Sequence, residues 1–147
     1  MKKRKPIHDN WATPKYLLDK IRAEFGEFYD PCPLNADFDG LAIDWPKDKT
    51  IFINPPYSRT LKEAFIKKAY HHSCVMRHAL CVMLLPVSTS TAIFHDYILG
   101  KAEIRFLRGR VKFEGINSYG DLVNTKCGMH DSMLVIFRAD SGRPNFI

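Results

Sequence analysis

The chain has 147 residues, 46% of them hydrophobic and 12% aromatic, which fits one folded domain with a single core and argues against disorder. A formal charge of +6 and a pI near 9.2 suit an anionic partner such as nucleic acid. The longest apolar run, Leu80 to Val87, is too short to cross a bilayer, and the basic start Met1-Lys2-Lys3-Arg4-Lys5 is followed by Pro6, His8 and Asp9 rather than an apolar stretch. A cytoplasmic chain without a signal peptide is the expectation. Four cysteines (Cys32, Cys74, Cys81, Cys127) show no Cys-x-x-Cys spacing and read as reduced and structural. His71, His72, Cys74, His78 and Cys81 cluster loosely, but their spacing matches no familiar ligand pattern, so no metal is expected.

Residues 1–10 read as a basic arm suited to phosphate contact. The sequence then predicts a helix opening at Trp11-Ala12-Thr13-Pro14, with Thr13 as N-cap and Pro14 at the first helical position. Tyr16, Leu17, Ile21 and Phe25 follow at helical spacing, and Gly26 ends the segment. A helix start also presents free N–H groups that can receive a carboxylate. Glu27 to Tyr29 reads as a short strand that ends in the turn Asp30-Pro31-Cys32-Pro33. In open α/β sheets ligands bind beyond the carboxyl ends of strands, where an acidic residue can meet a cationic cofactor. Leu34 to Trp45 follows as a polar loop with the turn signal Asp39-Gly40.

Thr50-Ile51-Phe52-Ile53 favours a buried strand, and Asn54-Pro55-Pro56-Tyr57 stops it abruptly. Two successive prolines neither continue a ladder nor start a helix, so the backbone is stiff where Asn54 leaves the sheet. The Asn54 side-chain oxygen and the Pro55 carbonyl are acceptors for both hydrogens of an exocyclic amine, and Tyr57 offers a flat face to a base. An adenine amine is a poor nucleophile because its lone pair is delocalised. Hydrogen bonds to fixed oxygens favour a more tetrahedral nitrogen, so the site needs positioning more than a base.

A helix from Arg59 to His71 is predicted next, capped by Ser58. The continuous apolar run Leu80 to Pro86 predicts a strand buried on both faces. Ser88 to Thr91 leads into a helix through His95 and Tyr97 to Gly100. Glu103–Leu107 and Val111–Glu114 alternate as strands of a hairpin-like pair. Its tip holds Arg108 and Arg110, with Lys112 beyond, and an arginine-rich turn suits phosphate. Ile116 to Met129 reads as a long functional loop, Asp131 to Phe137 as a last strand, and 139–147 as a tail. Residues 11–138 thus form one domain, an α/β sandwich with a mixed, mostly parallel sheet flanked by helices.

Five features in this order resemble the phage-type (Dam-like) DNA N6-adenine methyltransferases: Trp11-x-Thr13-Pro14, Asp30-Pro31-Cys32, Asp39-Gly40-Leu41 with Trp45, Asn54-Pro55-Pro56-Tyr57, and the Gly-Arg hairpin. The resemblance runs from Asn10 to Phe137. It implies a compact Rossmann-like methyltransferase sandwich and S-adenosylmethionine as cofactor. It also implies double-stranded DNA as partner, with the target base flipped out onto Tyr57. Asn54, Pro55, Pro56 and Tyr57 would be catalytic, and Trp11, Thr13, Asp30, Pro31, Cys32 and Asp39 would lie by the cofactor. Asp39 and Asp44 are both candidates for the adenosine contact. Arg108, Arg110 and Lys112 would meet DNA. Larger methyltransferases place a helix and strand between cofactor and catalytic motifs. Here the interval is shorter than the ~30 residues of a βαβ unit, so it is expected to be trimmed to a loop. At this length no separate target-recognition domain is expected, which leaves loose specificity or a homodimer. The alternatives are an enzyme of the same chemistry acting on RNA or a protein glutamine amide, and a non-catalytic DNA-binding protein.

Overall fold

The computed structural model describes residues 11–116, 122–124 and 130–139. The arm at 1–10 lies outside the described residues, as does the tail from 140 onward. Helix α1 (Lys15–Phe25) leads to strand β1 (Phe28–Tyr29), and β2 (Thr50–Ile53) to α2 (Arg59–Tyr70). After β3 (Cys81–Pro86) come β4 (Glu103–Phe106), β5 (Glu114–Ile116), β6 (Leu122–Asn124) and β7 (Ser132–Phe137).

Five strands form one sheet in the order β1-β2-β3-β7-β4. Neighbours β1, β2 and β3 are parallel, whereas β7 runs antiparallel to both β3 and β4. The sheet is mixed, as the sequence predicts: four of its five strands run the same way and β7 alone is reversed, so two of the four pairings are antiparallel. The reason is that β7 threads between two strands of the opposite direction.

Alternation along the central strands sends side chains to two buried faces. Ile51, Ile53, Met83, Leu85, Val135 and Phe137 meet Phe65, Ile66 and Ala69 of α2. Phe52, Val82, Leu84, Leu134 and Ile136 meet Leu17 and Ile21 of α1. Strands covered on both sides need apolar residues at successive positions, which is why β2, β3 and β7 read as unbroken apolar runs. On the outer edge Arg105 donates to both carboxylate oxygens of Glu24, at 2.6 and 2.7 Å, and so ties β4 to α1.

Local differences from the sequence reading have local causes. Thr13 does not cap α1. Pro14, with φ −59° and ψ 145°, stands at the cap position, and its carbonyl accepts the Leu17 and Leu18 N–H groups at 3.1 Å each. Gly26 ends the helix at φ +81°, where a side chain would be strained. Ser58 makes no side-chain cap to α2, which ends at Tyr70 and continues as a π-helical turn over His71–Val75. The segment after β3 is helical only around a second π-turn, Phe94–Ile98. There the Thr91 hydroxyl donates to the Ser88 carbonyl at 2.8 Å and accepts the Phe94 N–H at 3.4 Å.

The expected hairpin of β4 with Val111–Glu114 does not form. Strand β4 pairs with β7 instead, while Glu114–Ile116 pairs with Leu122–Asn124 in a separate two-stranded sheet. The alternation of Val111 and Phe113 reflects burial rather than ladder pairing. They are 3% and 5% exposed and pack into the core layer on the α1 face. Strand β6 also interrupts the expected loop 116–129, of which residues 117–121 and 125–129 lie outside the described residues.

Candidate active site

Parallel pairing of Tyr29 with Ile51 sets the ends of β1 and β2 side by side, so Asp30 and Asn54 leave the sheet at one edge. Asn54 is 7% exposed, and Pro55 and Pro56 behind it are buried. Its Nδ2 donates to the Trp11 carbonyl at 2.6 Å and to Thr13 Oγ1 at 3.2 Å. Its Oδ1 is buried with no hydrogen-bond partner among the described residues. An acceptor left unpaired away from water costs about 1–3 kcal/mol, so such an atom calls for a ligand that donates to it.

Tyr57 stands beside it, half-buried. Its ring centroid lies 6.4 Å from that of Trp11 at 30° and 5.8 Å from that of Phe113, which meets it edge-on at 86°. Burial pushes the Tyr57 phenol well above its ordinary range, so the ring stays neutral.

The segment from Asp30 to Lys49 contains neither helix nor strand, so the interval between β1 and β2 is a loop. The Asp30 carboxylate accepts the Cys32 N–H at 2.8 Å. Burial raises its pKa to about 6, against the opposing pull of that hydrogen bond. Gly40 presses on the same turn. A Cβ at this position would fall 1.8 Å from the Pro31 carbonyl oxygen. Trp45 Nε1 donates to the Gly40 carbonyl at 2.8 Å, and Lys68 of α2 donates to the carbonyls of Leu41 and Ile43. These bonds shape a cavity of about 280 Å³ lined by Pro31, Cys32, Asp39, Gly40, Pro56 and Phe65.

The expected cofactor residues therefore separate into two groups. Pro31, Cys32 and Asp39 line the cavity, with Asp30 half-buried at the turn that begins it. Trp11 and Thr13 meet the Asn54 amide. Asp44 lines a different cavity with Lys47, His71, His72 and His78, so of the two acidic candidates it is Asp39 that borders the Pro31–Gly40 site. Sequence reasoning missed Gly40, Lys68 and Phe113. Gly40 carried a turn signal, but its approach to Pro31 leaves no local trace. A third cavity, about 430 Å³, lies across α2 and is lined by Lys62, Ser88, Ser90 and Phe94 among others.

Arg108, Arg110 and Lys112 are exposed on the turn that carries Phe113 to Tyr57. Gly109 turns the chain there at φ +74°, and Arg110 Nε lies 3.5 Å from Asp131 Oδ1. The His72 and His78 rings meet at 4.8 Å, and burial together with His78 and Lys68 lowers His72 to about 4. Among the described residues no group of three or more His, Cys, Asp or Glu side chains could hold a metal ion, and no helix is long and apolar enough to cross a membrane.

The family described as DNA N-6-adenine-methyltransferase (Dam) matches residues 1–145. A DNA N-6-adenine-methyltransferase of Escherichia phage T1 is 29% identical over 118 residues, which cover 67% of this chain. The match spans 44% of that relative's own length. No solved structure matches.

Proposed function

Since the chain belongs to the DNA N-6-adenine-methyltransferase (Dam) family, we propose that it transfers a methyl group from S-adenosylmethionine to the N6 amine of adenine in DNA, with the base flipped out. The observation that carries this reading is the buried Asn54 Oδ1, unpaired among the described residues, beside the half-buried ring of Tyr57. A donor-bearing flat molecule satisfies both at once. The exocyclic amine gives one hydrogen to Oδ1 and the other to the Pro55 carbonyl, while the ring stacks on Tyr57. Pro56 holds the turn rigid. Held this way, the nitrogen lone pair points away from both acceptors.

The Pro31–Gly40 cavity suits the nucleoside part of the cofactor, and Asp30 suits its cationic end. When bound, S-adenosylmethionine supplies an electrophilic methyl on a sulfonium. Asn54 and the Pro55 carbonyl would hold the amine nitrogen toward that methyl, and the proton the amine then loses would pass to water. Parallel strands with both motifs at their carboxyl ends support a Rossmann-like methyltransferase arrangement whose edge stops at β1.

Transfer of a labelled methyl group to unmethylated duplex DNA, followed by nucleoside analysis, tests the proposal. Label in N6-methyladenine is expected. Label only in RNA or in a protein glutamine would move the substrate, and cofactor binding without any transfer would favour a non-catalytic DNA-binding protein.

Asp30 gives a second expected result. Its folded pKa of about 6 lies above the ordinary 3.8, so the folded chain without ligand loses stability as pH rises through that window. A cation seated beside the carboxylate draws the pKa back down. Affinity for S-adenosylmethionine should therefore rise about tenfold between roughly pH 5 and 7 and then level off. Titrations across that range, with Asp30→Asn expected to be flat, check it. A slope that survives in Asp30→Asn would assign the proton elsewhere.

DNA contact by the basic turn predicts a salt effect. Replacing Arg108 and Lys112 together with alanine should weaken binding about equally on all sequences and reduce the slope of log K against log salt by roughly two. An unchanged slope would remove these residues from the interface.

A further inference from the structure

We infer that Thr13 is a positioning residue, whose hydroxyl takes the second hydrogen of an Asn54 amide oriented by the Trp11 carbonyl, so that only the amide oxygen is left for the incoming amine. This rests on the reading of Asn54 as the amine acceptor. A carboxamide turned by 180° has nearly the same shape but exchanges donor for acceptor. Asn54 presented the wrong way would set an N–H against the N–H of the incoming base. The amide has two hydrogens, and two acceptors take them: the Trp11 carbonyl at 2.6 Å and Thr13 Oγ1 at 3.2 Å. With both committed, Asn54 offers the site an oxygen and nothing else, and that oxygen is buried without a partner among the described residues.

The two acceptors have different parts. The Trp11 carbonyl can only accept, so a flipped amide would bring two oxygens together there. The Thr13 hydroxyl secures the second hydrogen, which would otherwise be free to compete for the substrate's own acceptors. Thr13 is available for this because the cap position of α1 is held by Pro14 instead. The arrangement joins residues 41 and 43 apart in sequence, so neither motif shows it alone.

Steady-state methyl transfer to unmethylated duplex DNA by Thr13→Val, Thr13→Ser and Asn54→Ala tests the inference. Thr13→Val should lower kcat by about tenfold, the effect of one hydrogen bond of ordinary strength. KM for S-adenosylmethionine should stay within about twofold, and Thr13→Ser should restore kcat. Thermal unfolding identifies a fold defect, and Thr13→Ala replaces the valine variant if that one does not fold. Wild-type kcat in both Thr13→Val and Thr13→Ala would overturn the role. So would a raised cofactor KM with kcat intact, which would make Thr13 a cofactor ligand, or serine as poor as valine. Normal transfer by Asn54→Ala would overturn the reading of Asn54 itself. A dead Asn54→Ala beside an unaffected Thr13→Val would sink the positioning role alone.

Discussion

Asn54→Ala should lower the rate of methyl transfer at least about a hundredfold, the usual effect of removing one positioned polar group from a reacting centre. Binding of S-adenosylmethionine should stay within about twofold, because Asn54 does not line the Pro31–Gly40 cavity. The truncation removes the acceptor Oδ1 and leaves the amine one remaining anchor, the Pro55 carbonyl. It also removes the N–H that Asn54 donates to the Trp11 carbonyl, so some loss of stability accompanies the loss of rate. Single-turnover transfer and equilibrium binding of the cofactor measure the two effects separately. Loss of binding comparable to loss of transfer would mean that Asn54 supports the cofactor rather than the amine.

Gly40→Ala should act in the opposite way, through the cofactor. The added Cβ would lie 1.8 Å from the Pro31 oxygen and 2.8 Å from its carbonyl carbon. Both are backbone atoms that cannot swing aside, so the loop must lift from the Asp30–Pro31 turn. Lifting it lengthens the Trp45–Gly40 bond and opens the cavity wall. Overpacking of this kind costs about 1–3 kcal/mol, and here most of the strain falls on the Asp30–Pro31 turn. Affinity for S-adenosylmethionine should drop at least about tenfold, with a lower unfolding temperature, as binding titration and calorimetry would show. A variant with wild-type affinity would show that the 34–45 loop can move without harm to the cavity.

The parts of the fold that were legible in the sequence are those whose signal is local. Strands β2, β3 and β7 announce themselves as apolar runs because both faces are covered. Asn54-Pro55-Pro56-Tyr57 announces a rigid turn because proline restricts the backbone wherever it stands. Strand order carries no such mark, and Val111 and Phe113 alternate in the same way whether they enter a ladder or a core. Thr13 was open to a similar misreading. A threonine before Pro14 has the chemistry of a cap, and only the fold places an amide from Asn54 within its reach. Asp39 and Asp44 were equivalent as letters; Trp45, packed behind the loop, leaves them bordering different cavities. The order of the motifs pointed to the family, while their division of labour depended on contacts distant in the chain.

The chain's two tryptophans have a practical consequence. Trp11 sits against Tyr57, the proposed base platform, and Trp45 sits behind the loop that shapes the proposed cofactor cavity. Each indole therefore occupies a different compartment of one small protein. Exchanging either for phenylalanine leaves a single native emitter. The Trp45→Phe chain would glow from the place where a base arrives, and the Trp11→Phe chain from the place where the cofactor's loop settles. Light emission from the two chains would put the order of arrival of the two ligands on a clock without any attached dye.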